Sequence, residues 1–240
     1  MHRKKVMFIT IIICLISQIV YGQKYQFMYG DSMRSYVVYE PELEQNENGW
    51  PLVIGLHGTS ADGVIFMGVT NLVLKANKAK FIAACPNGLN YGRYTYFNAG
   101  GGYEELTRGT DDLGFISAVI DTMIKNYNID TTRIYVMGYS IGSLMAYRLA
   151  AEISHRIAAI GVVAATMLLE SCNPEYPVPI IHIHGLSDPR VPYEGAGDSI
   201  LVSPPVDSTI AIWREINNCN SIPDTIYNSN GIIGQKWTSS

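Results

Sequence analysis

The sequence predicts an α/β fold: a mostly parallel sheet with helices on both faces. Three observations lead there. Short continuous apolar runs recur along the chain, each ends in a polar or glycine-containing turn, and several of the intervening segments place apolar residues at helical spacing. With 240 residues, 48% hydrophobic and 16% charged, the chain is long enough to close one sizeable core.

Tyr25 to Tyr29 and Ser35 to Tyr39 read as two short strands joined at Gly30 and Asp31. Pro51 to Leu56 is a continuous apolar run, as in a strand covered on both faces, and Phe81 to Ala84 is a similar one. Asn87 to Arg108 is polar and glycine-rich and reads as a long surface loop, a length that in a compact domain is usually functional. Asp111 and Asp112 then precede Leu113, Ile116, Val119, Ile120 and Met123, a helical spacing with carboxylates suited to its N-terminus. Ile134 to Met137 is a strand and Ser140 to Ala151 a helix. Ile157 to Val163 and Val178 to Ile183 read as two more buried strands, and Asp207 to Asn217 as a last amphipathic helix.

The N-terminus reads as a secretory signal peptide over residues 1–22, leaving one domain over 23–240. Arg3, Lys4 and Lys5 precede the apolar run Val6 to Val20, which is shorter than a membrane span and contains Thr10, Ser17 and Gln18. Small-residue cleavage signals follow at Val20 to Gly22. This predicts export, extracellular or periplasmic, with no membrane attachment after cleavage. Removal of the leader leaves 14 basic against 21 acidic side chains, a net charge of −7. That balance excludes the electrostatic footprint of a nucleic-acid or anionic-lipid binder.

The sharpest chemical signal is Gly138, Ser140 and Gly142 in a G-x-S-x-G pattern. It lies between the strand ending at Met137 and the helix running through Met145. A nucleophile elbow needs this strand–turn–helix setting, with small residues two positions either side of a serine on a tight turn. The helix N-terminus then offers N–H groups to a developing oxyanion. His57 and Gly58 close the earlier strand, and the loop there supplies the second oxyanion donor in the α/β-hydrolase layout. The N–H groups of Thr59 and Ile141 are the predicted pair. His57 reads as a brace for that loop, with an active-site base as the alternative. Asp188 follows the strand ending at Ile183 and is placed to orient an imidazole, with Glu194 and Asp198 next in line.

Together these motifs resemble the secreted polyhydroxybutyrate depolymerase-like esterases, close to the feruloyl and acetylxylan esterases of carbohydrate esterase family 1. The resemblance runs from about Tyr36 to Trp237. Besides the elbow and the His57 loop it includes Phe97 to Gly101, Asp111 to Phe115, His184 to Asp188, and Val191 to Tyr193. It implies Ser140 as nucleophile, Asp188 as triad acid, Thr59 near the oxyanion hole, and a loop around Asn98, Asp111 and Asp112 bordering the site. The aspartate pair reads as structural, because two carboxylates beside the serine would oppose an oxyanion.

Two features depart from that family. Its loop cysteines are replaced here around Gly102 and Tyr103. Its histidine follows a further C-terminal strand, whereas no histidine follows His184. The expectation is a chain lacking the last strand and the catalytic-histidine loop, an unpaired sheet edge where they belong, and no histidine within reach of Ser140. Nothing in the pattern calls for a metal or cofactor.

The predicted chemistry is hydrolysis of a carboxylic ester through an acyl-enzyme on Ser140. The substrate would be a feruloyl or acetyl ester of polysaccharide, or a polyhydroxyalkanoate. The alternatives are a non-catalytic carbohydrate-binding relative and a serine peptidase of the prolyl oligopeptidase type, although the latter usually carries a propeller for which there is no room. Of the three cysteines beyond the leader, Cys172 and Cys219 are expected to pair, closing a loop of 47 residues, and Cys85 to remain a buried thiol.

Overall fold

The computed structural model describes residues 22–42, 46–169, 171–197 and 202–239. The predicted leader therefore lies, but for Gly22, outside the described residues, and so does Asp198. The strands in chain order are β1 (Gln23–Tyr29), β2 (Ser32–Tyr39), β3 (Trp50–Leu56), β4 (Ile82–Pro86), β5 (Leu89–Tyr91), β6 (Tyr94–Tyr96) and β7 (Ile129–Tyr139). They continue with β8 (Ala159–Val163), β9 (Ile180–Ile183), β10 (Ala196–Gly197), β11 (Val202–Ser203), β12 (Asp224–Ser229) and β13 (Ile232–Lys236). The helices are α1 (Gly63–Val69), α2 (Leu72–Ala79), α3 (Tyr103–Leu106), α4 (Asp112–Asn126), α5 (Ile141–Glu152) and α6 (Val206–Ile216).

Seven strands form the central sheet in the order β1-β2-β4-β3-β7-β8-β9. From β4 to β9 all neighbours are parallel, while β1 and β2 form an antiparallel hairpin whose second strand joins β4 antiparallel. The alternation of side chains along each strand divides the core in two. Leu52, Ile54, Leu56, Ile82, Ala84, Ile134 and Val136 face the larger cluster, which α4, α5 and Trp213 of α6 complete. Val37, Ala83 and Cys85, with Val53 and Met137, face the opposite way, onto Phe66, Met67, Leu72 and Ala76 of α1 and α2. Apolar runs without alternation are therefore what a sheet covered on both sides requires.

α1 and α2 were not legible in the sequence. Gly63 and Gly68 lie within α1, and three of its seven residues are β-branched. The Asp62 carboxylate nevertheless caps α1 by accepting the Ile65 N–H at 2.8 Å.

β9 corrects the reading of Val178 to Ile183 as a buried strand. It is the outermost strand of the sheet among the described residues, and Ile181 and Ile183 are 69% and 58% exposed. An apolar run looks the same in sequence whether or not something covers its outer face. Among the described residues, β9 has a strand neighbour on one side only.

Candidate active site

Ser140 sits at the carboxyl end of β7, immediately before α5, with φ 55° and ψ −123°. A residue other than glycine rarely adopts positive φ, so the surrounding contacts must hold it there. The flanking glycines show how. A Cβ on Gly142 would lie 2.1 Å from the Leu56 carbonyl oxygen, and one on Gly138 2.3 Å from the Gly142 carbonyl oxygen. Both obstacles are backbone, so neither position admits a larger residue. The turn is tied to the next strand as well: Ser140 N–H donates to the Val163 carbonyl at 3.0 Å. The Ser143 hydroxyl donates to the same carbonyl and accepts the Val163 N–H, both at 2.9 Å.

β3 neighbours β7 in parallel, so the loop after Leu56 opens on the same rim as Ser140. The Thr59 and Ile141 N–H groups have no acceptor among the described residues. Both therefore remain open to an acceptor from outside those residues. Gly58 is pressed against Tyr139, whose ring would lie 2.9 Å from a Cβ there. His57 is fully buried, and both its nitrogens are engaged: Nδ1–H donates to the Gly58 carbonyl at 2.8 Å, and Nε2 accepts the Gly88 N–H at 3.0 Å. Burial holds its pKa below the usual value for histidine, which keeps Nε2 an acceptor. His57 is a brace, as its sequence position suggests.

Asp188 lies in the loop after β9, on the rim shared by the carboxyl ends of the parallel strands β7, β8 and β9. The Arg190 and Val191 N–H groups donate to its Oδ1 at 2.8 and 3.0 Å. The Val191 bond in particular holds the carboxyl below the usual carboxylate range. Glu194, the next acid along, is exposed.

A directed hydrogen-bond chain reaches this loop from α5. The Val191 carbonyl can only accept, so His184 Nε2 carries the proton and donates to it at 2.7 Å. His184 Nδ1 is then an acceptor, facing His182 Nε2–H at 3.4 Å, and His182 Nδ1 accepts the Tyr147 hydroxyl at 2.7 Å. The two imidazoles stack with centroids 5.6 Å apart, and Tyr147 stacks on Trp213 at 5.9 Å. Burial, together with the neighbouring His184, pushes the His182 pKa down to about 4. His184 Nε2 is 3.9 Å from Asp188 Oδ2, a flanking contact and not a hydrogen bond. The one remaining described histidine, His155, follows α5 and lies 3.8 Å from Glu175. The nitrogens of His57, His182 and His184 are thus all directed at partners other than Ser140.

The stretch from Asn87 to Arg108 is more ordered than a loop: it holds the hairpin β5–β6 and the short helix α3. Its anchor is Asp112, fully buried, whose Oδ1 accepts from Arg34 at 2.5 Å and whose Oδ2 accepts the Asn98 N–H at 2.7 Å. Arg34, itself only 1% exposed, also donates to the Asn87 carbonyl and stacks its guanidinium 3.9 Å from the Phe115 ring centroid. The Asn98 carbonyl in turn accepts from Arg148 of α5 at 2.8 Å. Asp111 caps α4 by accepting the Gly114 N–H, and it accepts the Tyr29 hydroxyl. Both aspartates are therefore structural. Arg34 was the missed residue; it is the one charged residue of β2, and a buried guanidinium requires a carboxylate.

The expected bridge between Cys172 and Cys219 is not formed: both are free thiols, as is Cys85. Cys172 packs against the large core cluster, and burial raises its pKa to about 11. Cys219 instead makes an isolated antiparallel backbone bridge with Ser239, and its thiol faces the Asn217 carbonyl at 3.7 Å. Sequence separation estimates the benefit of closing a loop but says nothing of where two side chains point. Cys85 is buried in β4, as expected, with its pKa raised by burial.

A serine at positive φ between a parallel strand and a helix, on the carboxyl rim of a mostly parallel sheet covered by helices, fits the α/β-hydrolase class. The chain matches the Phospholipase/Carboxylesterase family over residues 38–199 and belongs to it. It is 29% identical over 175 residues to a bifunctional acetylxylan esterase/xylanase of Neocallimastix patriciarum, covering 73% of this chain and 23% of that protein. It is 27% identical to a probable feruloyl esterase C of Aspergillus niger, covering 68% of this chain and 57% of the relative. The chain thus spans between about a quarter and somewhat over half the length of these two proteins. The crystal structure of a thermostable esterase superposes with a TM-score of 0.57 at 19% identity, over 73% of this chain and 50% of that one, a likeness of fold.

Proposed function

We propose that this protein is an exported serine carboxylic-ester hydrolase whose nucleophile is Ser140, acting on acetyl or feruloyl esters of polysaccharide. The observation that carries this reading is the elbow itself: a serine held at positive φ by backbone contacts that exclude any Cβ at Gly138 and Gly142. In the proposed reaction Ser140 Oγ attacks the ester carbonyl carbon, and the Thr59 and Ile141 N–H groups receive the negative charge that moves onto the carbonyl oxygen. Collapse expels the alcohol and leaves an acyl group on Oγ, which water then releases as the acid. Asp188 is assigned as the acid that would orient an imidazole base. The nitrogens of His57, His182 and His184 are engaged elsewhere, so the serine proton is released to water. The names of the two relatives favour acetyl and feruloyl esters over a polyhydroxyalkanoate.

The engaged histidines also favour a second reading, a carbohydrate-binding relative without turnover. p-Nitrophenyl acetate separates the two. The esterase reading expects the Ser140 peptide to gain an acetyl group, and Ser140→Ala to abolish both that gain and p-nitrophenol release. Without a free base, acylation of Ser140 should be several orders of magnitude slower than in a complete triad. Hydrolysis that persists in Ser140→Ala, or no acylation at all, overturns the esterase reading.

A further inference from the structure

The tyrosines of the glycine-rich stretch converge at one place. β5 and β6 pair antiparallel, with Leu89 opposite Tyr96, Asn90 opposite Thr95 and Tyr91 opposite Tyr94. This hairpin is fixed to the oxyanion loop, because the Ser60 N–H donates to the Thr95 carbonyl at 3.3 Å, one residue from the Thr59 donor. It is also pressed against Gly88, where a Cβ would lie 2.3 Å from the Tyr96 carbonyl oxygen, and the Gly88 N–H is held by His57. Three rings form a row on this rigid support. The centroids of Tyr94 and Tyr96 are 5.9 Å apart, and those of Tyr96 and Tyr103 are 5.7 Å apart. Tyr94 is 45% exposed, and the other two are half-buried. The hydroxyls of Tyr91, Tyr147 and Tyr193 are hydrogen-bonded, whereas those of Tyr94, Tyr96 and Tyr103 have no partner among the described residues.

We propose that Tyr94, Tyr96 and Tyr103 form a stacking subsite for a neutral pyranose chain, the glycan that carries the ester to Ser140. The proposal rests on the reading of Ser140 as the nucleophile for glycan esters. A tyrosine presents an apolar face and a polar tip, and is used where a ligand is wet at one end and apolar at the other. A pyranose has the complementary character, a face of C–H bonds rimmed by hydroxyls. Its C–H face lies on the exposed Tyr94 ring, with Tyr96 tilted 38° beside it and Tyr103 set at 62° to Tyr96, and its hydroxyls pair with the free phenol groups. Glu104 and Glu105, exposed beside Tyr103, and Asn90 on the hairpin add acceptors for sugar hydroxyls. The two carboxylates also disfavour an anionic polymer, and stacking of nucleic-acid bases requires a basic groove that a chain of net charge −4 does not supply. Because the hairpin is pinned at Ser60 and Gly88, the rings are held in place before the ligand arrives, which limits the ordering cost of binding.

Calorimetric titration with unsubstituted xylohexaose tests this. The protein should give saturable binding, retained in Ser140→Ala, and Tyr94→Ala should weaken it about three- to tenfold, the usual size of one aromatic stack. Tyr94→Phe should keep most of the affinity. Tyr94 is exposed enough for these variants to fold, and their thermal melts verify it. Absence of saturable binding, or affinity in Tyr94→Ala and Tyr96→Ala equal to that of the parent, overturns the proposal. So does a loss confined to methyl ferulate, which would make the row a pocket for the aryl acyl group. Acylation of Ser140 by p-nitrophenyl acetate without xylohexaose binding sinks the subsite alone. Tyrosine-dependent xylohexaose binding without acylation sinks the esterase reading and leaves the subsite standing.

Discussion

Acidification should loosen this protein through His182. The folded pKa is about 4, because burial and His184 disfavour its charged form, whereas in the unfolded chain it returns to about 6.5. The unfolded state therefore binds more protons between those values, and stability falls as pH drops from about 6.5 towards 4. At pH 5 the unfolded imidazole is almost fully protonated and the folded one is still neutral, which makes the loss relative to pH 7 about 2 kcal/mol. The structural reason is directional. His182 Nδ1 must accept the Tyr147 hydroxyl, and a proton there breaks the chain that runs through His184 to the Val191 carbonyl. Urea unfolding at pH 7 and pH 5, followed by tryptophan fluorescence, measures the effect. In His182→Asn the amide oxygen still accepts from Tyr147 but does not titrate. Its loss between the two pH values should be about 2 kcal/mol smaller than that of the parent protein. His57, whose pKa burial also lowers, contributes equally to both proteins. Equal pH dependence in the two, within about 0.5 kcal/mol, would refute the assignment of His182 as the titrating link.

Two further perturbations test the frame around the site. Asp112→Ala leaves the Arg34 guanidinium buried without its carboxylate and should cost about 3–5 kcal/mol. Arg34→Met combined with Asp112→Ala should recover most of that loss, and a single-mutant cost under about 1 kcal/mol would contradict the staple. Gly142→Ala forces a methyl against the Leu56 and His57 carbonyls and should destabilise by about 1–3 kcal/mol or more. At roughly 2–4 °C per kcal/mol this is visible in a thermal melt, and an unchanged melting temperature would mean that the elbow is looser than its contacts indicate.

The layer architecture and the tight turn at Ser140 were both legible in the sequence. Apolar runs of strand length separated by amphipathic segments allow few arrangements other than a parallel sheet covered on both faces. The two glycines around Ser140 are forced by local backbone crowding, so their spacing is readable without any long-range knowledge. The roles of Asp111 and Asp112 were partly legible, since a carboxylate ahead of an apolar-periodic segment is a capping signal. That Asp112 meets Arg34 across 78 positions was not.

Tertiary structure decided what depends on the direction of side chains from separate elements. Cys172 turns into the core while Cys219 is held at the backbone bridge to Ser239, so their separation along the chain did not predict a bond. His182 and His184 become a proton-directed pair only because Tyr147 of α5 and the Val191 carbonyl approach them from either end. The tyrosines at 94, 96 and 103 look in sequence like an ordinary polar loop. They become a row because the hairpin is tied to the loop after β3 at Ser60 and Tyr103 of α3 packs on Tyr96, through contacts that periodicity does not encode. Local patterns report the conformation of a segment, whereas partners and surfaces arise from where the fold brings distant segments together.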